Sequence, residues 1–166
     1  PKVSLKNFDY IIVPEHDGIK GNNVITSKGA IHYLTSDEIK KNSNYLTGML
    51  NKEKEYLLLI LGGPNKYYDY NEKNLLDIFK KIQKLTFKND LQAIIIPSLR
   101  TPQNIIDLAH KFFGEQNLII KNVDKKAYLS GLAIAKFIIV TCDSTSMISE
   151  SALTGKPIYI AEIPSK

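Results

Sequence analysis

Two hydrophobic patterns alternate along most of the chain. Continuous apolar runs that end in glycine, proline or a polar turn are typical of strands buried on both faces of a sheet. Segments in which apolar residues recur at every third or fourth position, with charged residues between them, are typical of amphipathic helices. The two patterns predict strands at 56–61, 93–96, 118–120, 137–141 and 158–160, and helices at 71–85, 102–113, 127–135 and 145–153.

The alternation of strand and helix with short connections predicts a doubly wound, parallel α/β sheet with helices on both faces. We expect Thr101 to cap the second helix and Pro102 to occupy its first turn. A sheet of this kind binds ligands at its carboxyl edge. Four segments should line that edge, at 62–67, 97–101, 122–128 and 141–146.

The beginning of the chain follows a different pattern. A strand is expected over 8–13 and another over 24–26, followed by a polar segment rich in lysine and asparagine over 37–54. This content is too small for a second complete domain, so we predict that 1–54 is the remnant of a preceding domain and that 55–166 is a Rossmann-like domain. Because the chain opens without a methionine and closes directly after a strand, we expect a piece of a longer protein.

Composition and charge narrow the range of functions. The chain has 166 residues, enough for one sizeable core, and its 22 lysine and arginine residues exceed its 17 aspartate and glutamate residues by five. The basic residues are scattered and interleaved with acids, so no continuous stripe would follow a phosphate backbone, and we expect no nucleic-acid partner. Nearly every basic residue is lysine, which makes the single arginine, Arg100, stand out.

The sequence also indicates where in the cell the protein is located and whether it binds a metal. No apolar run approaches the roughly 20 residues that a membrane-spanning helix needs, so we expect no transmembrane segment and leave peripheral membrane association open. The lone cysteine, Cys142, excludes an internal disulfide, and the first residues lack the apolar core of a secretory signal. Both features predict a cytoplasmic protein. Since no cysteine and histidine residues have zinc-binding spacing, we expect no metal.

The segment 140–157 gives the clearest indication of a binding site. A buried strand delivers small hydroxyl residues to the start of a helix, where unpaired backbone N–H groups and the helix dipole favour an anion. Ser144 and Ser146 suit phosphate oxygens, and Glu150, farther along the helix, suits the vicinal hydroxyls of a sugar. A simpler interpretation is that Asp143 or Ser144 only caps the helix while Glu150 lies in solvent.

Four stretches, in order along the chain, carry a resemblance to a known family. The string Asp-Ser-x-Ser-Met-x-Ser-Glu-x-x-x-Thr-Gly-Lys-Pro at 143–157 resembles the donor-site motif of the mitochondrial-fission "elongated mitochondria" family, whose members resemble GT-B glycosyltransferases. In GT-B proteins the carboxyl-terminal Rossmann-like domain holds the nucleotide-sugar donor, and the resemblance implies this role for 56–166. The other stretches that resemble the family lie at 8–17 with 21–24, 61–66 and 98–102.

The resemblance implies a diphosphate site after the first two strands of this domain. Gly62 and Gly63 would let the backbone approach the diphosphate, and Arg100 would offer a forked donor to a phosphate oxygen. A plain turn that ends a strand is the alternative for the two glycines. The chain departs from the family at Leu99, where a second basic residue is common, and at Asn65, where serine is frequent. Asn65 stays in the predicted binding set, and both departures weaken the anion pocket.

The resemblance also implies roles at two other places. Ser144 and Ser146 would bind phosphate, and Glu150 would bind the ribose hydroxyls. His16 and Asp17 are candidate catalytic residues, because a Glu-His-Asp turn after a strand can set an imidazole beside a carboxylate. The alternative for this turn is a loop whose polar groups bond to their own backbone.

These implications predict the donor-binding half of a metal-independent glycosyltransferase, which transfers a sugar from a nucleoside diphosphate sugar to an unknown acceptor and needs no other cofactor. Turnover would also need an acceptor site, which belongs to the other half of such an enzyme. Two alternatives stay open. In the first, the chain is a non-enzymatic adaptor, similar to eukaryotic relatives implicated in organelle fission. In the second, it is an inactive remnant. Fold alone does not decide between them.

Overall fold

The fold alternates strands and helices along the chain, and the structure, a computed structural model, describes residues 4–166. The strands are β1 (Ile11–Pro14), β2 (Val24–Ser27), β3 (Glu55–Leu61), β4 (Leu91–Pro97), β5 (Leu118–Ile119), β6 (Phe137–Thr141) and β7 (Ile158–Ala161). The helices are α1 (Ser36–Lys41), α2 (Glu72–Lys88), α3 (Gln103–Phe113), α4 (Lys125–Ile134) and α5 (Thr145–Ala152). Within residues 4–166, no helix combines the length and the apolar character needed to cross a membrane.

The main sheet has five strands in the order β5-β4-β3-β6-β7, and every neighbouring pair is parallel. Leu57 of β3 lies between Ala93 of β4 and Phe137 of β6. From β3 the chain moves outward through β4 and β5, then returns to the other side of β3 for β6 and β7. The direction of winding therefore reverses between β3 and β6, which is where sheets of this type open a ligand crevice. The predicted doubly wound α/β fold is confirmed.

The two faces of β3 bury alternate residues in separate layers of core. Leu57, Leu59 and Leu61 pack with the apolar faces of α2 and α3 on one side. Leu58 and Ile60 pack on the other side with α4. Because both faces are covered, β4 is buried along its whole length, as expected for a strand that reads as a continuous apolar run.

The start of α3 differs from the prediction. The helix begins at Gln103, and Pro102 takes the N-cap position without a side-chain hydrogen bond from the helix. The predicted cap, Thr101, instead donates its hydroxyl to the carbonyl oxygens of Leu61 at 3.0 Å and Gly62 at 2.6 Å. The prediction was wrong because this hydroxyl links two strand ends, a long-range contact that a local capping pattern does not reveal.

The beginning of the chain has two parts, which pack in different places. β1 starts at Ile11, later than predicted, and pairs in parallel only with β2 as a separate two-stranded sheet. The segment that follows joins the main core through four buried side chains: Leu34, Ile39, Leu46 and Leu50. Residues 1–3 of the predicted unit 1–54 lie outside the described residues, and the boundary at residue 54 stays a prediction.

Candidate functional site

Three loops meet at the carboxyl edge of the sheet, next to the crevice between β3 and β6. Gly63 follows β3, Arg100 follows β4 and Asp143 follows β6, and these three residues contact one another. Since the strands are parallel, their following loops open on the same edge. The expectation that these three loops share one edge is confirmed.

A buried carboxylate lies at the centre of this meeting point. The Asp143 side chain is 0% exposed, and its Oδ2 accepts the N–H of Gly63 at 2.8 Å and pairs with Arg100 Nη2 at 3.0 Å. Arg100 also donates to the carbonyl oxygens of Gly63 at 3.2 Å and Asp143 at 3.4 Å. The guanidinium that the sequence assigned to phosphate is therefore bonded to the protein's own carboxylate, while 43% of its side-chain surface stays exposed.

The two glycines after β3 are required by close contacts within the protein. A Cβ added at Gly62 would lie 2.1 Å from Asp143 Oδ2, and one added at Gly63 would lie 2.1 Å from the carbonyl oxygen of Arg100. Gly62 also donates its N–H to Thr141 Oγ1 at 2.8 Å. At Gly63 the close atoms are backbone, so a side chain is excluded there, and at Gly62 a side chain would displace the Asp143 carboxylate. Their predicted approach to a diphosphate stays a prediction.

The amino terminus of α5 opens on the same edge. Ser144 occupies the N-cap position, and its side chain accepts no hydrogen bond from the helix within residues 4–166. Thr145 and Ser146 are exposed on the first turn. The simpler interpretation, in which Asp143 or Ser144 only caps the helix, is wrong because the Asp143 carboxylate bonds to Gly63 and Arg100 instead. The first N–H groups of α5 thus keep their capacity for an anion.

Asn65 shapes the loop after β3 from within. Its Oδ1 accepts the N–H groups of Tyr67 at 2.8 Å and Tyr68 at 3.1 Å. Farther along, the Tyr70 hydroxyl donates to the carbonyl oxygen of Gly62 at 3.2 Å, and burial raises the pKa of this phenol. Asn65 and Tyr70 therefore hold the loop in place, and the predicted ligand role of Asn65 is untested.

Glu150 lies half-buried on α5 beside a cavity of about 200 Å³. Its Oε2 accepts the hydroxyl of Tyr128 at 2.7 Å. Burial and the adjacent carboxylate raise the pKa of Tyr128, which keeps the phenol protonated as a donor. The interpretation that leaves Glu150 in solvent is therefore wrong. The cavity is also lined by Ile60, Pro97, Ser98, Val123 and Met147.

Sequence reasoning missed two residues that organise this edge. Tyr128 lies in a segment that was expected to line the edge, but no local signal marks its hydroxyl as the partner of Glu150. Asp143 was considered only as a helix cap. Its position two residues after a buried strand, together with the single arginine at Arg100, was a usable signal, because a buried charge requires an opposite charge nearby.

The predicted catalytic residues lie in the short helical turn Glu15–Asp17, which follows β1. The side chains of His16 and Asp17 are 46% and 47% exposed, and His16 Nε2 lies 3.8 Å from Asp17 Oδ1. This distance exceeds a hydrogen bond. The catalytic role of both residues stays a prediction. Over residues 4–166, no group of three histidine, cysteine or carboxylate side chains is placed to hold a metal ion.

Fold similarity to a solved structure agrees with the strand order of the sheet. A solved structure of UDP-GlcNAc 2-epimerase from Methanocaldococcus jannaschii, in complex with UDP-GlcNAc and UDP, superposes with a TM-score of 0.56 at 16% identity. The match covers 92% of this chain and 45% of that protein. Together with the strand order, it shows the Rossmann-like fold of GT-B proteins. The family model for mitochondrial fission ELM1 matches residues 1–166, and the chain belongs to that family.

Two curated proteins are similar to this chain in sequence. An uncharacterized protein of Rickettsia prowazekii is 30% identical over 161 residues, which cover 91% of this chain and 44% of the relative. The mitochondrial fission protein ELM1 of Arabidopsis thaliana is 22% identical over 189 residues, which cover 96% of this chain and 43% of the relative. The chain thus spans less than half the length of either relative.

Proposed function

We propose that this chain is the nucleotide-binding half of a GT-B-like glycosyltransferase and that it binds a nucleoside diphosphate sugar in the crevice between β3 and β6. The arrangement of α5 is the observation that supports this most strongly. Its uncapped amino terminus opens on the carboxyl edge, and Glu150 borders a cavity on the same edge. Glu150 follows Ser144 by six positions, about 9 Å along a helix, a separation suited to a ribose diphosphate.

The residues at the start of α5, Arg100 and Glu150 have distinct roles in this proposal. The backbone N–H groups at the start of α5, with Ser144 and Ser146, bind phosphate oxygens, and Arg100 adds a charge-assisted donor. The other carboxylate oxygen of Glu150, Oε1, accepts hydrogen bonds from the ribose. The same positive groups stabilise the charge that develops on the departing diphosphate, so the reaction needs neither a metal nor another cofactor.

The remaining parts of the reaction lie outside this crevice. His16 and Asp17 are proposed as the acid–base pair, held on the turn after β1. The acceptor site is assigned to the part of the protein that the relatives have beyond this chain. The epimerase structure holds UDP-GlcNAc and UDP, which is consistent with a uridine nucleotide as the first ligand to test.

Thermal denaturation in the presence of UDP, GDP, ADP or CDP tests the proposal. A ligand that binds only the folded state adds about 2.7 kcal/mol of stability at 100 times its dissociation constant. We expect at least one of the four diphosphates to raise the melting temperature in the millimolar range. If none of them does so in a folded sample, the proposed function is wrong.

Two substitutions separate the proposed contacts. Arg100→Ala should weaken inorganic pyrophosphate and the nucleoside diphosphate alike, by about 1.5 to 3 kcal/mol, because both carry the phosphates that Arg100 binds. Glu150→Ala should weaken only the nucleoside diphosphate. Isothermal titration calorimetry measures both, with Glu115→Ala as the control, since Glu115 is an exposed carboxylate in the loop after α3. Equal losses of pyrophosphate binding in the two site variants would contradict these roles.

One observation favours the adaptor as the second candidate. The Arg100 guanidinium and the Gly63 N–H already bond to the Asp143 carboxylate, so part of their donor capacity is used without a ligand. An adaptor needs only the fold that this contact stabilises. A folded chain with no nucleotide-dependent change in melting temperature is the result that this candidate predicts.

A further inference from the structure

The contact between Tyr128 and Glu150 joins two helices, α4 and α5. Tyr128 lies on α4 and Glu150 lies on α5, and the hydroxyl of the first donates to Oε2 of the second at 2.7 Å. Both side chains are half-buried and line the same cavity. Within residues 4–166, the contact uses only Oε2, so Oε1 of Glu150 can accept hydrogen bonds from a ligand.

Helix α4 holds Tyr128 firmly because it is fixed at both ends. At its start, Asp124 Oδ1 accepts the N–H groups of Lys126 at 2.8 Å and Ala127 at 3.1 Å. At its end, the Lys156 ammonium donates to the carbonyl oxygens of Leu132 and Ala133. These bonds fix the backbone that carries the Tyr128 ring.

A glutamate side chain has three rotatable bonds, and ordering it on binding costs free energy. A hydrogen bond made before the ligand arrives removes part of that cost and selects which carboxylate oxygen faces the ligand. A vicinal diol benefits most, because its two hydroxyls must both reach a correctly oriented acceptor. A phosphate gains nothing from this orientation.

We propose that Tyr128 is a positioning residue, which holds Glu150 in the orientation that recognises the ribose of a nucleotide. This inference rests on the proposed function, since it takes Glu150 as the ribose acceptor. It adds that recognition of the ribose depends on a hydroxyl that does not touch the ligand.

The test compares ribose with deoxyribose. Isothermal titration calorimetry measures the affinity of the wild type for the tightest binder among UDP, GDP, ADP and CDP, for its 2′-deoxy counterpart, and for inorganic pyrophosphate. We expect the wild type to prefer the ribonucleotide by about tenfold or more. Tyr128→Phe should reduce this preference to about threefold or less, while the affinity for pyrophosphate stays within about twofold of the wild type.

Further variants separate positioning from packing. Glu150→Ala should abolish the preference, and adding Tyr128→Phe to it should change nothing more, because the hydroxyl acts only through Glu150. Glu150→Asp keeps the charge but draws the carboxylate away from Tyr128 by one methylene, so it should also lose the preference. Tyr56→Phe is the matched control, since its hydroxyl donates to Asn51 at 3.0 Å, at the opposite end of β3.

The outcomes keep this inference distinct from the proposed function. If the wild type binds none of the four diphosphates, both are wrong. If it binds a ribonucleotide with the expected preference and Tyr128→Phe or Glu150→Asp keeps that preference, only the role of Tyr128 is overturned. A Tyr128→Phe variant that loses pyrophosphate affinity as strongly as nucleotide affinity would show a general structural role and would also overturn it.

Discussion

Single residues at the carboxyl edge are constrained by one another before any ligand is considered. The side chain of Asp143 is wholly buried, and its carboxylate depends on the donors that Gly63 and Arg100 provide. The side chain of Arg100 reaches Asp143 only because the loop that carries it packs against a glycine backbone. The identity of residue 63 therefore controls the geometry of the charged pair.

Gly63→Ala tests this constraint. The new Cβ would lie 2.1 Å from the carbonyl oxygen of Arg100, and a backbone atom cannot move aside as a flexible side chain can. We expect a loss of about 1 to 3 kcal/mol in the free energy of unfolding, measured by urea denaturation. Gly48→Ala is the control, because nothing lies within 4 Å of its Cβ position, and it should change stability by no more than about 0.5 kcal/mol.

If Gly63→Ala were as stable as Gly48→Ala, the loop after β4 would have to be free to move. The close packing of Arg100 against Gly63 would then not matter for stability.

At the residue scale, sequence reasoning found individual side chains more easily than their partners. Arg100 stood out as the only arginine, and Glu150 stood out by its place in a family motif. Their actual partners, Asp143 and Tyr128, lie 43 and 22 residues away. Such pairs depend on which strands are neighbours and on which side of a helix faces them, and no local pattern encodes either.

At the scale of helices and strands, the hydrophobic pattern predicted the bounds of an element correctly where all of its residues are similarly buried. The strand 137–141 was predicted with its observed bounds, because a continuous apolar run with a polar end leaves little choice. The start of α3 was predicted wrongly, since Thr101 has a long-range partner that outcompetes local capping. In α4 the start was predicted two residues late, because its cap, Asp124, precedes two lysines that carry no apolar signal.

The cap of α4 gives a pH-dependent prediction. Burial acts to raise the pKa of Asp124, but hydrogen bonds from Tyr45 and from the N–H groups of Ala127 and Lys126 outweigh it and hold the pKa below its usual value. Because the unfolded state then binds the proton more tightly, the stabilisation is complete above the ordinary pKa of about 3.9. It is lost as the pH falls through the lower folded-state value.

Asp124→Asn isolates this charge, since asparagine also caps helices well. The variant should be less stable than the wild type at pH 6, by less than about 1 kcal/mol because the side chain is largely solvated. The difference in the free energy of unfolding between the variant and the wild type should disappear as the pH falls below about 4. Tyr45→Phe, which removes one donor, should show a smaller loss with the same pH dependence. Urea denaturation between pH 3 and pH 7 measures both, and a difference that stays constant with pH would contradict this explanation.

At the scale of the whole molecule, the sequence predicted the parallel sheet but not how the first third of the chain packs. The remnant at 1–54 was predicted as one unit because it lacks the repeating strand–helix pattern. In the structure, Ile12 and Ile25 of the β1–β2 pair stay 58% and 52% exposed, whereas Leu46 is fully buried against α4. Isolated apolar residues in a polar segment do not reveal which surface they cover, so this division could not be predicted.

Two truncations test where the structural unit begins. Removing residues 1–33 takes away the β1–β2 pair and the bond from Ala30 N–H to Ser149, but leaves the main core intact. Removing residues 1–54 also takes away Leu34, Ile39, Leu46 and Leu50. At about 1.5 to 3 kcal/mol for each buried side chain, this loss is comparable to the whole stability of a domain, about 5 to 15 kcal/mol.

We therefore expect the chain that starts at residue 34 to unfold cooperatively and the chain that starts at residue 55 to lack a cooperative transition. Circular dichroism during thermal denaturation measures this difference. Leu46→Ala in the full chain gives a point comparison and should cost about 2 to 5 kcal/mol, because it leaves a cavity beneath α4. If the chain from residue 55 unfolds with the stability of the full chain, residues 55–166 form an independent unit, and the boundary predicted from the sequence is correct.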